Sequence, residues 1–484
     1  MNWRTISRNV GYALLVSALF MLLSVGVSLL DGGDSALSPL LMSFLITFIV
    51  GIFPFIFVRK TPAITLKEGY IIITLSWLLS FVFGMLPYAL WGGPFTLDNA
   101  WFESVSGFTT TGSTVLGDVE QLPRSLLFWR SATHFIGGLG VVVFLLLIIP
   151  GSSPMKMRLA NMELSSLSRG SYSARSGRTV YIFAYVYLAI CVLAFLLLWA
   201  AGMSPFDAVC HAMSVSATGG FSTRNLSVGA FGSRWIELIM MVMMLLSSLH
   251  FGLLYLAVIN RSLKPLNNPV LKFFLLSFAV LTVLLGISLR ATGAASGLGS
   301  AMWQAAFQTS CAISTSGFAI ADNAAWPLLP NMLLMLAAIM CGCAGSTSGG
   351  VKADRVLVLL KSIGCRIRRI LRPSSVCEVK LGKRVLADEE VSPHILYLAL
   401  YTLLLLVSVI AVSMFGVTDE TAFTASITSL SNVGPATGSL GLMGNFGALE
   451  PAAKFVFTLD MFLGRVEIYP VIAVVAMIFD RHRR

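Results

Sequence analysis

Long apolar runs alternate with short polar stretches along the whole chain, and this alternation decides the class of the protein. A helix needs about 20 apolar residues to cross roughly 30 Å of membrane hydrocarbon. The stretches that meet this requirement lie at residues 10–30, 38–58, 70–91, 126–149, 179–202, 235–259, 270–290, 328–345, 393–416 and 452–479. The pattern therefore predicts ten membrane-spanning helices.

Composition supports the same class. Of 484 residues, 56% are hydrophobic and only 11% are charged, and the mean hydropathy is +0.85. These values exclude a soluble globular protein. The first apolar run is longer than the hydrophobic region of a signal peptide and has no small-residue cleavage site after it, so we expect it to be a membrane span.

The net charge of +11 follows the predicted membrane topology. Most Lys and Arg residues lie at the two termini and in loops on the same side of the membrane, with the largest group between residues 352 and 384. The positive-inside rule then places both termini in the cytoplasm. Because topology accounts for the charge, the predicted partner is the lipid bilayer and not nucleic acid.

Four short segments of mixed polarity recur at intervals of roughly 100 residues, a domain-scale repeat. They read "AWFESVSGFTTTG", "DAVCHAMSVSATG", "AAFQTSCAISTSG" and "AFTASITSLSNVG", and they end at Gly112, Gly219, Gly317 and Gly434. Each is too short to cross a membrane and too polar to face lipid, so we expect a re-entrant helix with a return loop.

The repeat predicts an all-α polytopic membrane protein with a pseudo-fourfold pore. Each unit would consist of a membrane helix, a re-entrant pore helix with its loop, and a second membrane helix. The expected divisions are two additional helices in 1–66, followed by pore repeats at 67–155, 156–262, 263–390 and 391–484.

The loops after the pore helices combine hydroxyl side chains with glycine. Irregular backbone within a membrane requires protein or water to satisfy it, and hydroxyl and carbonyl oxygens together with helix C-termini favour a cation. Close helix packing through small residues is the alternative for any single loop, but four copies favour an ion filter. The predicted ion-binding filter residues are Thr109, Thr110, Thr111, Gly112, Ser216, Ala217, Thr218, Gly219, Ser314, Thr315, Ser316, Gly317, Ser431, Asn432, Val433 and Gly434.

A second unusual segment, "CGCAGSTSGGVK" at 341–352, interrupts an apolar span with small and hydroxyl residues. Such a sequence disfavours a continuous helix and indicates a flexible loop within the membrane, a candidate gate. A phosphate-binding loop is the rival interpretation, but the GxxxxGK[ST] order is absent. The candidate gate residues are Gly342, Gly345, Ser346, Thr347, Ser348, Gly349, Gly350 and Lys352, together with Arg465 in the last repeat.

Arg465 is an isolated charge inside an apolar span. A charge in that position faces a cavity or a partner. Two interpretations stay open at this stage. Arg465 faces a cavity, or it forms a structural pair with Asp460 or Glu467.

Catalysis and resident cofactors are not indicated. The seven cysteines show neither a disulfide framework nor a zinc spacing, and we expect buried free thiols. His134, His211 and His250 are isolated, so packing or polar pairing is the expectation. Without a nucleophile and base in a recognisable set, the sequence predicts no enzyme.

The four glycine loops, "CGCAGSTSGGVK" and "GRVEIYP" at 464–470 resemble the Trk/Ktr/HKT superfamily of potassium transporters, specifically its TrkH-type membrane subunit. The resemblance covers nearly the whole chain, and the two additional N-terminal helices favour the Trk branch. It implies potassium uptake in the bacterial inner membrane. All four glycines are present, whereas sodium-permeable plant relatives often carry serine at the first one. A transporter coupled to sodium or protons is the alternative.

The resemblance also implies a gate and partners. Segment 341–352 would block the pore below the filter, with Arg465 as an electrostatic barrier or counter-charge. The cytoplasmic stretch 352–390 would meet a cytosolic regulatory ring of the TrkA type, which binds the nucleotide, since no nucleotide fold is present in this chain. Family members also pair as homodimers.

Overall fold

The computed structural model describes residues 2–58, 64–140, 179–374, 377–382, 384–417, 419–442 and 444–480. Most of these residues are helical. Among them, six helices are long and apolar enough to cross a membrane, or seven if one bent pair counts as a single span. The expected all-α polytopic architecture is confirmed.

Two N-terminal helices, Trp3–Leu30 and Leu37–Phe57, pack closely against each other. A Cβ atom on Gly11 would lie 2.6 Å from the carbonyl oxygen of Gly51, so the small residues let the two backbones approach. The opposite face of the second helix exposes Ile49 and Phe53, as expected of a helix that contacts lipid. The backbone N–H of Asn2 donates to Glu68 (2.8 Å) and joins these helices to the first repeat.

Four repeats follow, each with a first helix, a pore helix and a second helix. The first helices are Leu66–Gly84 with its continuation Leu86–Trp91, Thr179–Ala200, Pro269–Ala291 and Asp388–Met414. The pore helices are Leu97–Phe108, Pro205–Ser216, Leu298–Ser314 and Asp419–Leu430. The division of the chain at the predicted repeat boundaries stays a prediction, and 141–178 lies outside the described residues.

The second helices are where the structure departs from the predicted spans. They are Arg124–Leu139, Arg234–Ser247 with Phe251–Ile259, Leu328–Met340 with Ala353–Leu371, and Pro451–Arg465 with Tyr469–Asp480. The predicted spans 235–259, 328–345 and 452–479 are therefore not single helices, and the first of these bends by 100°. Part of the predicted span 126–149 lies outside the described residues.

The breaks fall where a second helix passes the end of a pore helix. Gly137 lies against the carbonyl of Phe108, and Gly464 lies against the carbonyl of Leu430, at the ends of the first and fourth pore helices. A side chain at either glycine would collide with that carbonyl. Small residues at these points satisfy a steric need, and helix Pro451–Arg465 ends one residue after Gly464.

The segment that follows helix Ala353–Leu371 contains a small hairpin that the sequence did not predict. Strands Val379–Leu381 and Arg384–Leu386 pair antiparallel, with Lys380 opposite Val385. The chain turns back along helix Ala353–Leu371, so that Cys365 and Cys377 come to a Cα separation of 5.6 Å and form a disulfide. The expectation of free thiols is wrong for this pair, whereas the free cysteines are Cys191, Cys210, Cys311, Cys341 and Cys343.

Three apolar clusters surround the pore helices. The largest joins the N-terminal helices to the first repeat and part of the fourth, the second joins the third and fourth repeats, and another covers the second. Phe102, Phe108 and Phe307 on the pore helices are completely buried. The pore helices therefore form the centre of the molecule, held by side chains from neighbouring repeats.

Candidate ion pathway

Each pore helix ends in the same way. One residue shortly after the helix takes the left-handed conformation, with φ of 55° at Thr110, 52° at Thr218, 61° at Thr315 and 57° at Asn432. This conformation is unusual for residues other than glycine and reverses the chain direction. Two residues further along the chain, each loop has a glycine: Gly112, Gly220, Gly317 and Gly434.

The second loop is shifted by one residue from the sequence prediction. Sequence reasoning aligned Gly219 with the other loop glycines, whereas the structure places Gly220 at that position. The N–H of Thr218 donates to Val215, as that of Thr110 donates to Gly107. Gly219 faces the ring of His134, away from the other glycines. The prediction that Gly219 is equivalent to Gly112 is therefore wrong in its register.

Gly112, Gly220, Gly317 and Gly434 form a closed ring, which we call the glycine ring. A Cβ atom on Gly112 would lie 2.7 Å from the nitrogen of Gly220, and one on Gly220 would lie 2.8 Å from the carbonyl oxygen of Ser316. One on Gly317 would lie 2.5 Å from the carbonyl oxygen of Val433, and Gly434 lies against the carbonyl of Thr111. Backbone alone fits at this level of the molecule.

Cavities lie on both sides of the glycine ring. One, which we call the outer cavity after the orientation predicted from the sequence, has a volume of about 170 Å³, and its lining includes Gly112, Gly220 and Gly317. The inner cavity, of about 70 Å³, is lined in part by Lys352, Arg465 and Glu467. The narrow ring between two cavities, the inner one lined in part by charged side chains, marks a candidate pathway through the centre of the protein.

The hydroxyl groups that the sequence singled out are mostly bonded within or behind their loops. Thr109 and Thr111 share a hydrogen bond of 2.8 Å, and Ser314 and Ser316 share one of 2.7 Å. Ser431 is bonded to the hydroxyl of Tyr401 (2.7 Å). These side chains brace the loops, whereas backbone carbonyls lie next to the glycine ring.

The intramembrane loop, residues 341–352, lies against the loops of three repeats. Thr347 donates to the carbonyls of Ser216 (3.1 Å) and Ser247 (3.2 Å). The N–H of Gly349 donates to the hydroxyl of Thr315 (3.2 Å), and Gly349 also packs against Asn432. The structure thus brings the candidate gate residues and the predicted filter segments into direct contact.

The intramembrane loop is also held by bonds of its own. Ser346 donates to the carbonyl of Cys343 (2.7 Å) and shares a hydrogen bond of 2.9 Å with Ser348. The carbonyl of Gly345 accepts from the N–H of Phe251 (3.0 Å), at the bend of the second repeat. Gly342 packs against Ser348, and Gly350 packs against Cys341. The small residues allow a tightly folded turn.

Arg465 reaches from the fourth repeat to two others. Its guanidinium donates to the carbonyl of Thr347 (2.5 Å) and to the carbonyls of Gly137 (2.6 Å) and Gly138 (3.1 Å). It therefore joins the intramembrane loop to the end of the second helix of repeat 1. Its positive charge lines the inner cavity.

The carboxylates proposed as structural partners of Arg465 have other contacts. Glu467 is paired with Arg355 (2.7 Å) and Lys352 (3.7 Å). Asp460 accepts a hydrogen bond from Ser408. Lys352, predicted as part of the gate, thus lies where the intramembrane loop meets the break in the fourth repeat.

At the outer mouth, the loops of repeats 1 and 2 are joined by an asparagine that sequence reasoning did not select. The amide of Asn225 donates a hydrogen bond to Asp118 (2.7 Å) and holds the pKa of that carboxyl below its usual range. Its carbonyl oxygen accepts from the N–H of Val119 (2.7 Å). An asparagine in a polar loop carries no sequence signal for such a contact.

These features define a polytopic helical membrane protein in which four repeats enclose one central pathway. Residues 40–482 match the TrkH family, described as cation transport proteins, and the chain belongs to that family. The resemblance identified from the sequence is thereby confirmed.

The relatives match over nearly the entire chain. The Trk system potassium uptake protein TrkH of Salmonella typhimurium is 32% identical over 487 residues, which cover 99% of this chain and 100% of the relative. The Trk system potassium uptake protein TrkG of Escherichia coli K12 is 32% identical over 488 residues, 99% of each chain. A crystal structure of the potassium transporter TrkH from Vibrio parahaemolyticus superimposes with a TM-score of 0.86 at 30% identity and covers 98% of both chains.

Proposed function

We propose that this chain takes up potassium across the bacterial inner membrane through a gated, channel-like pore, with both termini in the cytoplasm. The observation that carries the proposal is the glycine ring between two cavities. Family membership supports it, because relatives along the whole chain are potassium uptake proteins.

Selection for potassium would take place at the glycine ring. Backbone carbonyls replace the hydration shell of an ion when a channel filter selects it. The carbonyls of Thr111, Ser316 and Val433 lie beside the ring and are candidate ligands. The bonded hydroxyls would hold the loops in place, and the remaining predicted filter residues would form the walls. In the second repeat Gly220 takes the place predicted for Gly219.

The intramembrane loop would be the gate. It lies on the inner side of the glycine loops, bonded through Thr347 and Gly349, and Arg465 adds a fixed positive charge to the inner cavity. A potassium ion would meet both obstacles on its way to the cytoplasm. Opening would require the intramembrane loop to move away from the pore-helix ends and the segments that follow them in repeats 2, 3 and 4.

A regulatory partner would act on the gate through helix Ala353–Leu371, which directly follows the intramembrane loop. Its last turn carries Arg368 and Arg369, and its apolar residues Ile363 and Ile367 are exposed. Such a helix suits a cytosolic partner, and we propose a nucleotide-binding regulatory ring of the TrkA type. The nucleotide would be held by that partner. A homodimer is the proposed assembly of the membrane subunit.

A transporter coupled to protons or sodium is the second candidate. The observation in its favour is Asp460, a buried carboxylate in the fourth repeat that is bonded to Ser408. A buried acid within the membrane is a candidate proton carrier. The common orientation of the four pore helices favours the passive pore.

Cation flux into proteoliposomes containing this chain alone tests the proposal. Potassium, rubidium and sodium gradients are compared with and without a pH gradient, using empty vesicles and the Gly112→Ser variant as controls. We expect flux that follows the potassium gradient and ignores the proton gradient. Flux that requires a proton or sodium gradient would assign the protein to the coupled class.

A further inference from the structure

A buried ion pair lies behind the outer end of the pathway in the first repeat. Glu103 belongs to the pore helix and Arg130 to the second helix of that repeat. The Nε atom of Arg130 lies 2.8 Å from Oε1 of Glu103, and the two side chains are 2% and 0% exposed. Removing two charges from water is costly, so a pair in this position requires a reason beyond general stability.

Glu103 holds the segment through which the chain leaves the glycine ring. We call residues 113–116 the exit segment of repeat 1 and residues 221–224 the exit segment of repeat 2. The carboxylate of Glu103 accepts hydrogen bonds from the N–H of Val115 (3.0 Å) and from the hydroxyl of Thr114 (3.0 and 3.1 Å). The backbone next to Gly112 is therefore fixed by this acid.

Arg130 extends the same support to the second repeat. Its guanidinium donates to the carbonyl of Ser222 (3.3 Å) and to the hydroxyl of Thr114 (3.3 Å). Its Cζ atom lies 4.0 Å from the centre of the Phe221 ring. One side chain thus contacts both exit segments, which follow the adjacent ring members Gly112 and Gly220.

The other repeats carry no acid at the position equivalent to Glu103; in repeat 2 the exit segment is instead bonded through Thr223 (2.7 Å) and Arg224 (3.0 Å) to Asp207, which lies four residues earlier on the pore helix. Counted back from each ring glycine, the positions equivalent to Glu103 are His211, Gln308 and Ala425. His211 is bonded to Ser222 (3.0 Å), and Gln308 donates to the carbonyl of Ala321 (3.3 Å). The side chain at this position therefore bonds to the exit segment in three repeats. Only in the first repeat is that side chain an acid with a basic partner.

Glu103 also balances a positive charge beside the pathway. Arg130 lines the outer cavity, the side from which a cation would enter. Glu103 compensates that positive charge at a separation of 2.8 Å. Without the carboxylate, an uncompensated cation would remain beside the entrance, in surroundings where screening by water is weak.

We infer that Glu103 and Arg130 form a positioning pair that sets the cation selectivity of the glycine ring by holding the exit segments of repeats 1 and 2. The inference rests on the proposed function, because it assumes that the ring selects ions. Neither residue touches the ion. Both act through the backbone on either side of the contact between Gly112 and Gly220.

The test measures the ratio of potassium to sodium flux for Glu103→Gln and Arg130→Lys in proteoliposomes. Glu103→Gln keeps the shape of the side chain and removes its charge, and Arg130→Lys keeps the charge and removes the planar set of donors. We expect each variant to lower the ratio about tenfold, equivalent to about 1.4 kcal/mol. Glu103→Asp, which keeps the charge on a shorter side chain, should fall between these variants and the unmodified protein.

Lys454→Met is the matched control. Lys454 is buried and also pairs with the first pore helix, at 3.0 Å from Asp98, but Asp98 is 31% exposed and lies in the first turn of that helix, at the end opposite the exit segment. Its loss should leave the flux ratio unchanged. All ratios are taken on protein that elutes as a folded species, so that a loss of material does not appear as a loss of selectivity.

The Gly112→Ser variant distinguishes a failure of the proposed function from a failure of the inference about Glu103 and Arg130. If Gly112→Ser leaves the flux ratio unchanged, the ring does not select ions and the proposed function fails at that point. If Gly112→Ser lowers the ratio while Glu103→Gln, Glu103→Asp and Arg130→Lys all retain it, the ring selects ions and the inference about the pair is overturned.

Discussion

Gly112 and Gly220 meet so closely that a Cβ atom on the first would lie 2.7 Å from the backbone nitrogen of the second. Real Cβ atoms essentially never approach another heavy atom within about 3.0 Å, so a side chain at Gly112 would force the backbone to shift, and Gly220 is held to glycine in the same way by the carbonyl oxygen of Ser316 at 2.8 Å. The same relationship continues through Gly317 and Gly434 and closes the ring. The narrowest level of the candidate pathway is therefore built from backbone alone.

The ring predicts different results for two adjacent glycines. Gly220→Ala places a methyl group 2.8 Å from the carbonyl oxygen of Ser316, so we expect the potassium-to-sodium flux ratio to fall about tenfold, or about 1.4 kcal/mol. Gly219→Ala places its methyl group against the ring of His134, behind the pathway. It should reduce the yield of folded protein and leave the ratio unchanged. A lower ratio for Gly219→Ala together with an unchanged ratio for Gly220→Ala would show that Gly219, and not Gly220, belongs to the ring.

The sequence predicted the class and the fold, because both follow from strong and redundant patterns. Apolar runs of membrane length and a fourfold recurrence of polar segments leave few alternatives. The register of the second loop was beyond this reasoning, since "SATGG" contains two consecutive glycines and either satisfies the pattern. Only packing against His134 and Ser316 separates them.

Sequence reasoning predicted a broken second helix in the third repeat, whereas the structure shows such breaks in the second and fourth repeats as well. The interruption at 341–352 is long and rich in glycine and serine, whereas the breaks at 248–250 and 466–468 are only three residues long and sit between apolar helices. These short breaks meet segments that are far away in the sequence: the carbonyl of Ser248 accepts from the N–H of Cys343 (2.9 Å), and Gly464 packs against Leu430. The partners of Arg465 were missed for a related reason, because backbone carbonyls leave no trace in the sequence.

Thr347→Val should weaken the contact between the intramembrane loop and the glycine loops. Valine has nearly the same shape as threonine but cannot donate to the carbonyls of Ser216 and Ser247. A hydrogen bond contributes about 0.5–1.5 kcal/mol, so potassium flux without any partner protein should rise roughly twofold to tenfold. Thr347→Ser keeps the hydroxyl and serves as the control. Equal flux in all three proteins would remove this contact from the gating mechanism.

Arg465 can restrain flux by its charge or by its hydrogen bonds, and two variants separate these effects. Arg465→Gln removes the charge and most of the donors, so we expect flux to rise by about tenfold or more, since hydrogen bonds to charged groups contribute about 1.5–3 kcal/mol. Arg465→Lys keeps the charge but cannot hold Thr347 and Gly137 together with a planar fork. Low flux in the lysine variant would identify the charge as the barrier. High flux in both variants would identify the hydrogen bonds, and unchanged flux in both would exclude Arg465 from the gate.

The ion pair between Glu467 and Arg355 should matter for stability more than for selectivity. Both side chains are largely buried, with 14% and 6% exposure, and their atoms lie 2.7 Å apart. Glu467→Gln leaves Arg355 and Lys352 without their shared carboxylate, and breaking a buried pair costs about 3–5 kcal/mol. We expect a clear drop in the midpoint of thermal unfolding in detergent. Adding Arg355→Gln should restore part of this loss, because the second substitution removes the uncompensated charge.

An exposed pair provides the comparison for that experiment. Arg124 lies 3.2 Å from Asp31, and its side chain is 58% exposed, so Arg124→Gln should cost at most about 1 kcal/mol. The coupling between Glu467 and Arg355 is then the difference between the double variant and the sum of the single variants. A coupling as small as that of the exposed pair would mean that the connection between the intramembrane loop and the fourth repeat does not depend on these charges. A coupling of several kcal/mol would identify Glu467 as the anchor of helix Ala353–Leu371, so that any force on this helix is transmitted to the intramembrane loop against a fixed point.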